Sequence, residues 1–446
     1  MIGFETIGNA TATFFDEKPI LSTDPWILGN PYFGSWGHKY KIPNQQLENI
    51  KNSKYIWLSH GHPDHIDPDS LDIIKNKKII LAKHYGSRIF KDLSKRGFDC
   101  FELKNNHWLE LSKNIRIKNF ADWNQDSSLL VEINKKDIVL NLNDGQALGW
   151  SQEIKKIIKN YKKKFLLRLI SWGDADMINF YNENNHFILP LAANKKPCGE
   201  SYSFHLKKWN CNMILPFSSM HRYVRKDSIK MNEYVTPLKL HYEKFNSKYG
   251  EMLPAFIQWN TEKQQYIQIN PDENKFELKN PEQFGDNWSD ALNIEDEKII
   301  TDYFLKFDHL KSKFGFLSFS VGNKELNLKL SDRKEGIKFT APRNSLVCSI
   351  KNKIFDDILI GNFMRVQLIN VNSLYPDFTP YVAKYGDNGG VNNKIDIKKY
   401  FNYYRLNSAN YWIDLLNIKT EGLIRAKLVK NKNIYFLARK IKRFIS

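Results

Sequence analysis

Residues 57–65 read Trp57-Leu58-Ser59-His60-Gly61-His62-Pro63-Asp64-His65, so four side chains that ligate metals fall within six positions. Imidazole suits zinc, iron and copper, and a carboxylate oxygen hardens the set. Spacing this dense points to a metal-binding loop rather than to scattered solvated histidines. His60 and His62 project to one side if extended geometry continues through the loop, because side chains alternate with period two. Pro63 then turns the chain and brings Asp64 and His65 back towards a second ion.

Such a loop needs a strand to launch it, and residues 55–59 read as a short buried strand. Around it, residues 4–24 form strand, turn, strand, and an aromatic, glycine-rich loop spans 29–40. A helix is expected near 69–75, a strand at 78–82 and a helix over 84–96. Residues 115–120, 128–133 and 137–142 read as strands, the last two joined by a turn at Asn134-Lys135-Lys136. Residues 152–164 place Ile154, Ile157, Ile158 and Tyr161 at helical spacing opposite lysines, and 166–170 return as a strand. Two runs of strands separated by helices predict α/β architecture, an αββα sandwich over residues 1–270. The polar stretch 271–286 reads as a linker, and 287–422 as a smaller α+β accessory domain with strands at 316–321, 325–330 and 336–340 and a helix over 344–353. Residues 423–446 form a basic amphipathic helix suited to an anionic membrane surface or to its own domain.

At 446 residues, 42% hydrophobic, the chain can bury a full core, which excludes wholesale disorder. Cys100, Cys198, Cys211 and Cys348 lie far apart, which excludes a disulfide framework or a zinc ribbon and fits a cytoplasmic protein, peripheral to membrane if the last helix docks there. No signal peptide or run of eighteen apolar residues stands out. The net charge of +18 attracts polyanions, but a chain rich in Lys, Asn and Ile acquires such charge without a specific partner. No nucleic-acid-binding motif accompanies it.

The His-x-His-x-Asp-His loop resembles that of the metallo-β-lactamase superfamily. Thr23-Asp24-Pro25-Trp26-Ile27-Leu28-Gly29, the aromatic loop with Trp36, residues 129–144 and Phe355-Asp356-Asp357-Ile358-Leu359-Ile360-Gly361-Asn362-Phe363-Met364-Arg365 resemble the catalytic part of CMP-N-acetylneuraminate hydroxylases. The superfamily resemblance implies a dinuclear site for two divalent ions, zinc or iron, with manganese as a third option. It makes Asp144, after the strand 137–142, the bridging carboxylate and His221 the last histidine. The histidine usual between the first motif and the bridge is missing, because residues 120–128 contain none. Asp122 is the stand-in, with Asn124 and Asp126 as alternatives, and an oxygen ligand there shifts the site towards iron or manganese.

Asp64 is also a candidate catalytic proton acceptor. Trp36, Trp172, Asp174, Asp176, His205 and Arg222 are candidate contacts for a small substrate, a sugar or sugar nucleotide on the resemblance. The segment 355–365 reads as accessory-domain core rather than as part of the site. Two functions follow. A metal-dependent hydrolase using metal-bound hydroxide is the first reading, and an iron-dependent monooxygenase the second. The hydroxylases carry a Rieske domain, and this chain has no Cys-x-His pair, so a monooxygenase here would draw on an external electron donor.

Overall fold

The computed structural model describes residues 1–173 and 176–428. Among these, strand residues alternate between two burial partners. In the strand Ser127–Ile133, Leu129, Val131 and Ile133 join the core between the sheets, while Leu130 faces the opposite way, among the helices. Asp137–Asn143 repeats the pattern, with Val139 facing inward and Ile138, Leu140 and Leu142 outward. A strand buried on both faces loses the polar alternation of a surface strand, which is why these segments are so uniformly apolar.

The first sheet has eight strands, in the order Gln265–Gln268, Ile257–Asn260, Ile2–Ile7, Thr11–Asp16, Lys18–Thr23, Tyr55–Leu58, Lys78–Ala82 and Cys100–Leu103. The second has seven, Glu251–Met252, Met213–Pro216, Lys163–Arg168, Asp137–Asn143, Ser127–Ile133, Ile115–Ala121 and Leu109–Glu110. Phe4, Phe14, Leu21, Trp57 and Ile80 from the first meet Ile117, Val131, Val139, Phe165 and Leu215 from the second. Helices Asn44–Asn52, Pro68–Ile73 and Arg88–Lys95 cover the outer face of the first sheet through Ile50, Leu71 and Leu93. Helices Ser151–Ile158 and Gly199–Trp209 cover the second through Ile154, Ile158, Tyr202 and Leu206. The result is the four-layered αββα sandwich.

Differences from the sequence reading are local. The helix expected over 84–96 is Arg88–Lys95, and the one over 152–164 ends at Ile158 because Lys163 already starts a strand. The segment 271–286 lies along the sandwich, with bridges from Tyr40 to Glu273 and from Arg225 to Lys279. The accessory sheet runs Phe180–Tyr181, Arg365–Ile369, Gly336–Thr340, Phe316–Val321 and Lys324–Lys329, so its edge strand comes from the middle of the sandwich sequence. Phenylalanines 304, 319, 339, 355 and 378 fill its core. The four cysteines are free thiols.

The chain ends by returning to the sandwich. Tyr400, on helix Lys394–Leu406, donates its hydroxyl to the Trp123 carbonyl. Asp414, on helix Tyr411–Leu428, accepts from the Gly149 and Ser151 amides and the Ser151 hydroxyl, capping the start of helix Ser151–Ile158 from outside. Asp414→Ala is expected to cost about 1–2 kcal/mol, read as a lower denaturant midpoint at unchanged slope. An unchanged midpoint would mean that this helix does not dock. Residues 429–446, which hold most of the basic amphipathic segment, lie outside the described residues. Among the described residues no helix is long and apolar enough to cross a membrane.

Candidate metal centre

The strand Tyr55–Leu58 stops where its ladder ends, and the loop beyond is tied from below. The Ser59 amide donates to Asp24 Oδ1, and Ser127 Oγ donates to the Ser59 carbonyl. The amides of His65 and Ile66 then both reach the His62 carbonyl, a helical turn that brings His65 back beside His60. Asp24 Oδ2 lies 3.3 Å from His65 Nδ1 and accepts from the Asn143 amide at 2.9 Å. This carboxylate fixes the ring and leaves Nε2 to face the site.

His65 Nε2 lies 3.2 Å from Asp64 Oδ2 and 3.4 Å from Asp144 Oδ2, and His60 Nε2 lies 3.9 Å from the same Asp144 oxygen. Asp144 arrives there because the ladder between Asp137–Asn143 and Lys163–Arg168 slips by one residue between Asn141 and Asn143. Asn143 takes a left-handed φ of 47°, and the Gly145 amide closes the turn on the Leu142 carbonyl. Bulges of this kind re-aim side chains at sheet ends. Arg168 holds the turn by donating to the Gly145 carbonyl. His60, His65 and Asp144 thus gather donor atoms within 4.8 Å of one another. Among the described residues Asp144 Oδ1 is buried without a hydrogen-bond partner, which suits an atom that serves a cation.

A second group adjoins the first. His62 Nδ1 sits 2.8 Å from His60 Nε2, and His62 Nε2 sits 3.0 Å from Asp356 Oδ2. Asp356 and Asp357 open the accessory helix Phe355–Ile360, and with His62 they form another cluster within 4.8 Å. The segment expected to be accessory core therefore reaches the site. Two consecutive acids in a helix that is otherwise apolar were the available signal. Asn9, Tyr32 and Lys384 also escaped the sequence reading, and Asp24 entered it only within the stretch that carries the resemblance.

The charges are closely coupled. Burial opposes ionisation of Asp64, yet the neighbouring His65, with the Tyr32 hydroxyl, holds it well below the usual carboxylate range. Burial likewise works against a charged His62, but Asp356 lifts it to about 9. His60 is driven the other way by burial and by the adjacent His65. Burial and Asp64 keep Tyr32 protonated far above its ordinary range. Tyr32 donates to Asp64 Oδ1 at 2.5 Å, and Asn9 donates to Oδ2 at 2.8 Å. Lys384 stays charged despite burial, its ammonium 3.8 Å from Asp126 Oδ2.

The remaining sequence candidates belong to neither cluster. Asp122 accepts from the amides of Asn124 and Leu148 and belongs to neither group; Asn124 and Asp126 also stand outside both. His221 lies flat on Trp36 at 3.4 Å between ring centres, in neither group, and Trp36 is buried in that stack. Trp172 donates to the Lys196 carbonyl and packs on the outer helical layer. Asp176 is exposed and accepts from the Met177 amide, while Asp174 lies outside the described residues. His205 sits on the outer helix Gly199–Trp209. Arg222 clamps the carbonyls of Lys39 and Asn274 along the segment after the sandwich. The outward faces of the centre are His62 and Asp144, whose side chains are 23% and 27% exposed.

No family model matches the sequence. The chain is 26% identical over 129 residues to a cytidine monophosphate-N-acetylneuraminic acid hydroxylase of Asterias rubens, covering 28% of this chain and 17% of that protein. It is 31% identical over 102 residues to a putative Rieske 2Fe-2S iron-sulfur protein of Mycolicibacterium smegmatis, covering 22% and 19%. The matched stretch therefore spans less than a fifth of each of these relatives. Among solved structures, the metallo-beta-lactamase fold protein YhfI of Bacillus subtilis aligns over 56% of this chain and 92% of its own, at 10% identity and a TM-score of 0.30. The two sheets, with helices on their outer faces, form an αββα sandwich that carries the histidine loop at the end of the strand Tyr55–Leu58.

Proposed function

We propose that the chain is a metal-dependent enzyme, and that it hydroxylates a sugar or nucleotide sugar with an external electron donor. The donor set carries this reading. Three imidazoles stand among Asp64, Asp144, Asp356 and Asp357, and the trio His60, His65 and Asp144 has the two-histidine, one-carboxylate composition that suits non-haem iron. The similarity to hydroxylases supports the same choice and moves it ahead of hydrolysis. Iron held there would supply dioxygen activation.

The chain's own groups do the rest. His60, His65 and Asp144 hold the ion, and Asp24 fixes the His65 ring. Asp64 is committed to Tyr32, Asn9 and His65 at 2% exposure, so we assign it to positioning His65 rather than to proton transfer. Substrate approaches between His62 and Asp144, the two outward-facing members. Hydrolysis is the second reading, favoured by the His-x-His-x-Asp-His loop, which would serve zinc and a bound water equally well.

The test is elemental analysis and an optical spectrum of protein purified without added metal, followed by oxygen uptake with CMP-N-acetylneuraminate and a chemical reductant. Iron, with substrate-dependent oxygen uptake, is the expected result. Zinc without oxygen uptake would overturn hydroxylation and leave hydrolysis.

A further inference from the structure

We infer that Asp356 and Asp357, delivered by the accessory domain, complete with His62 a second divalent-cation position beside that of His60, His65 and Asp144. The inference rests on the reading that the histidine loop holds metal, and it adds which residues hold the second ion.

Geometry comes first. One donor atom from each of His62, Asp356 and Asp357 lies within 4.8 Å of the others, the spread a single ion can gather. The two positions abut, since His62 Nδ1 meets His60 Nε2 at 2.8 Å. The second observation concerns Asp357. Its side chain belongs to a residue only 5% exposed, and among the described residues no hydrogen bond reaches its carboxylate. Asp356, 7% exposed, faces His62 Nε2 at 3.0 Å, with the charged Lys384 acting on it from further off. Two adjacent buried carboxylates repel each other, and a divalent ion gathered by them and His62 would neutralise both. One nitrogen and several carboxylate oxygens form a hard set, which suits Mn²⁺ or Fe²⁺ better than Cu²⁺.

The helix is anchored to the sandwich at both ends, as a ligand-bearing element must be. Arg88 donates to the carbonyls of Asn352 and Lys353 and to Asn388 Oδ1 ahead of it. Ser35 Oγ donates to the Gly361 carbonyl behind it, and Asn362 donates to the Tyr223 hydroxyl. An ion at this position therefore bridges two domains that are already in register.

The experiment titrates the full, chelator-stripped chain with Mn²⁺ alone. Free Mn²⁺ is counted by electron paramagnetic resonance, and near-ultraviolet circular dichroism monitors the fold. Wild type is expected to bind about two equivalents. The double variant Asp356→Asn/Asp357→Asn is expected to bind about one, with a native dichroism spectrum. His62→Gln, on the sandwich side of the interface, is expected to lose the same equivalent. Two equivalents in both variants would overturn the inference and leave the metal reading standing. A wild type that binds no Mn²⁺ would overturn both.

Discussion

Asp144→Asn is expected to weaken metal binding by about 100-fold or more and to remove turnover with it. The substitution keeps the volume of the side chain and removes only its charge. In the structure that charge faces His60 Nε2 at 3.9 Å and His65 Nε2 at 3.4 Å, and its other oxygen is buried without a hydrogen bond. An amide there offers one neutral oxygen in place of a carboxylate. The turn should survive, because the Gly145 amide and the Arg168 guanidinium close it through backbone carbonyls. Metal content after dialysis, compared with the thermal midpoint, separates the two effects. A variant that retains its metal would remove Asp144 from the ligand set. A variant that unfolds would show that the turn depends on the charge.

Arg225→Ala is expected to cost about 3–5 kcal/mol of stability, the usual consequence of stranding a buried charge. Arg225 is fully buried. Its guanidinium meets Asp286 at 2.7 Å and Asp227 at 2.9 Å, donates to the Phe33 carbonyl, and stacks 3.8 Å over the Phe363 ring. Asp286 is also buried and takes the amide and hydroxyl of Ser345 from the accessory domain. The variant leaves Asp286 without its cation. Arg225→Lys should recover only part of the loss, since an ammonium cannot make the forked contacts or the stack. The damage should extend to the metal centre. Phe33 and Tyr32 both sit at left-handed φ, 56° and 57°, strained for residues with side chains, and Arg225 holds that kink by its carbonyl. Tyr32 reaches Asp64 from there. Equilibrium denaturation reads the stability, and a loss below about 1 kcal/mol would show that this network carries little of the interface.

How much was legible follows from how far each signal reaches along the chain. The His-x-His-x-Asp-His loop was legible because its residues are local, but their pairing was not: His65 returns beside His60, and His62 falls in the other group. The strands of the second sheet were legible because burial on both faces makes them apolar runs. Asp144 was placed by its position at a strand end. Chain order led the sequence reading to Asp122 as the stand-in for the missing histidine. The acids that meet His62 lie nearly 300 residues further on, and no periodicity in 355–365 links them to a loop near residue 60. Trp36 and Arg222 looked functional by type; Trp36 is buried among the His221, Tyr32 and Tyr223 rings, and Arg222 holds two backbone carbonyls beside Glu273. Residue type alone does not distinguish a ring that meets substrate from one that fills a wall.

The shared edge strand Phe180–Tyr181 has a consequence for the order in which the protein is made. Synthesis runs from the N-terminus, and domains begin to fold as they emerge. When the sandwich is complete, Phe180–Tyr181 still waits for Arg365–Ile369, and the stretch that brings this partner also brings Asp356 and Asp357. A polypeptide released early therefore carries the histidine loop without its acidic counterpart. On the cation assignment made for those acids, a half-finished chain cannot load a full metal pair, so reactive chemistry waits for a finished molecule.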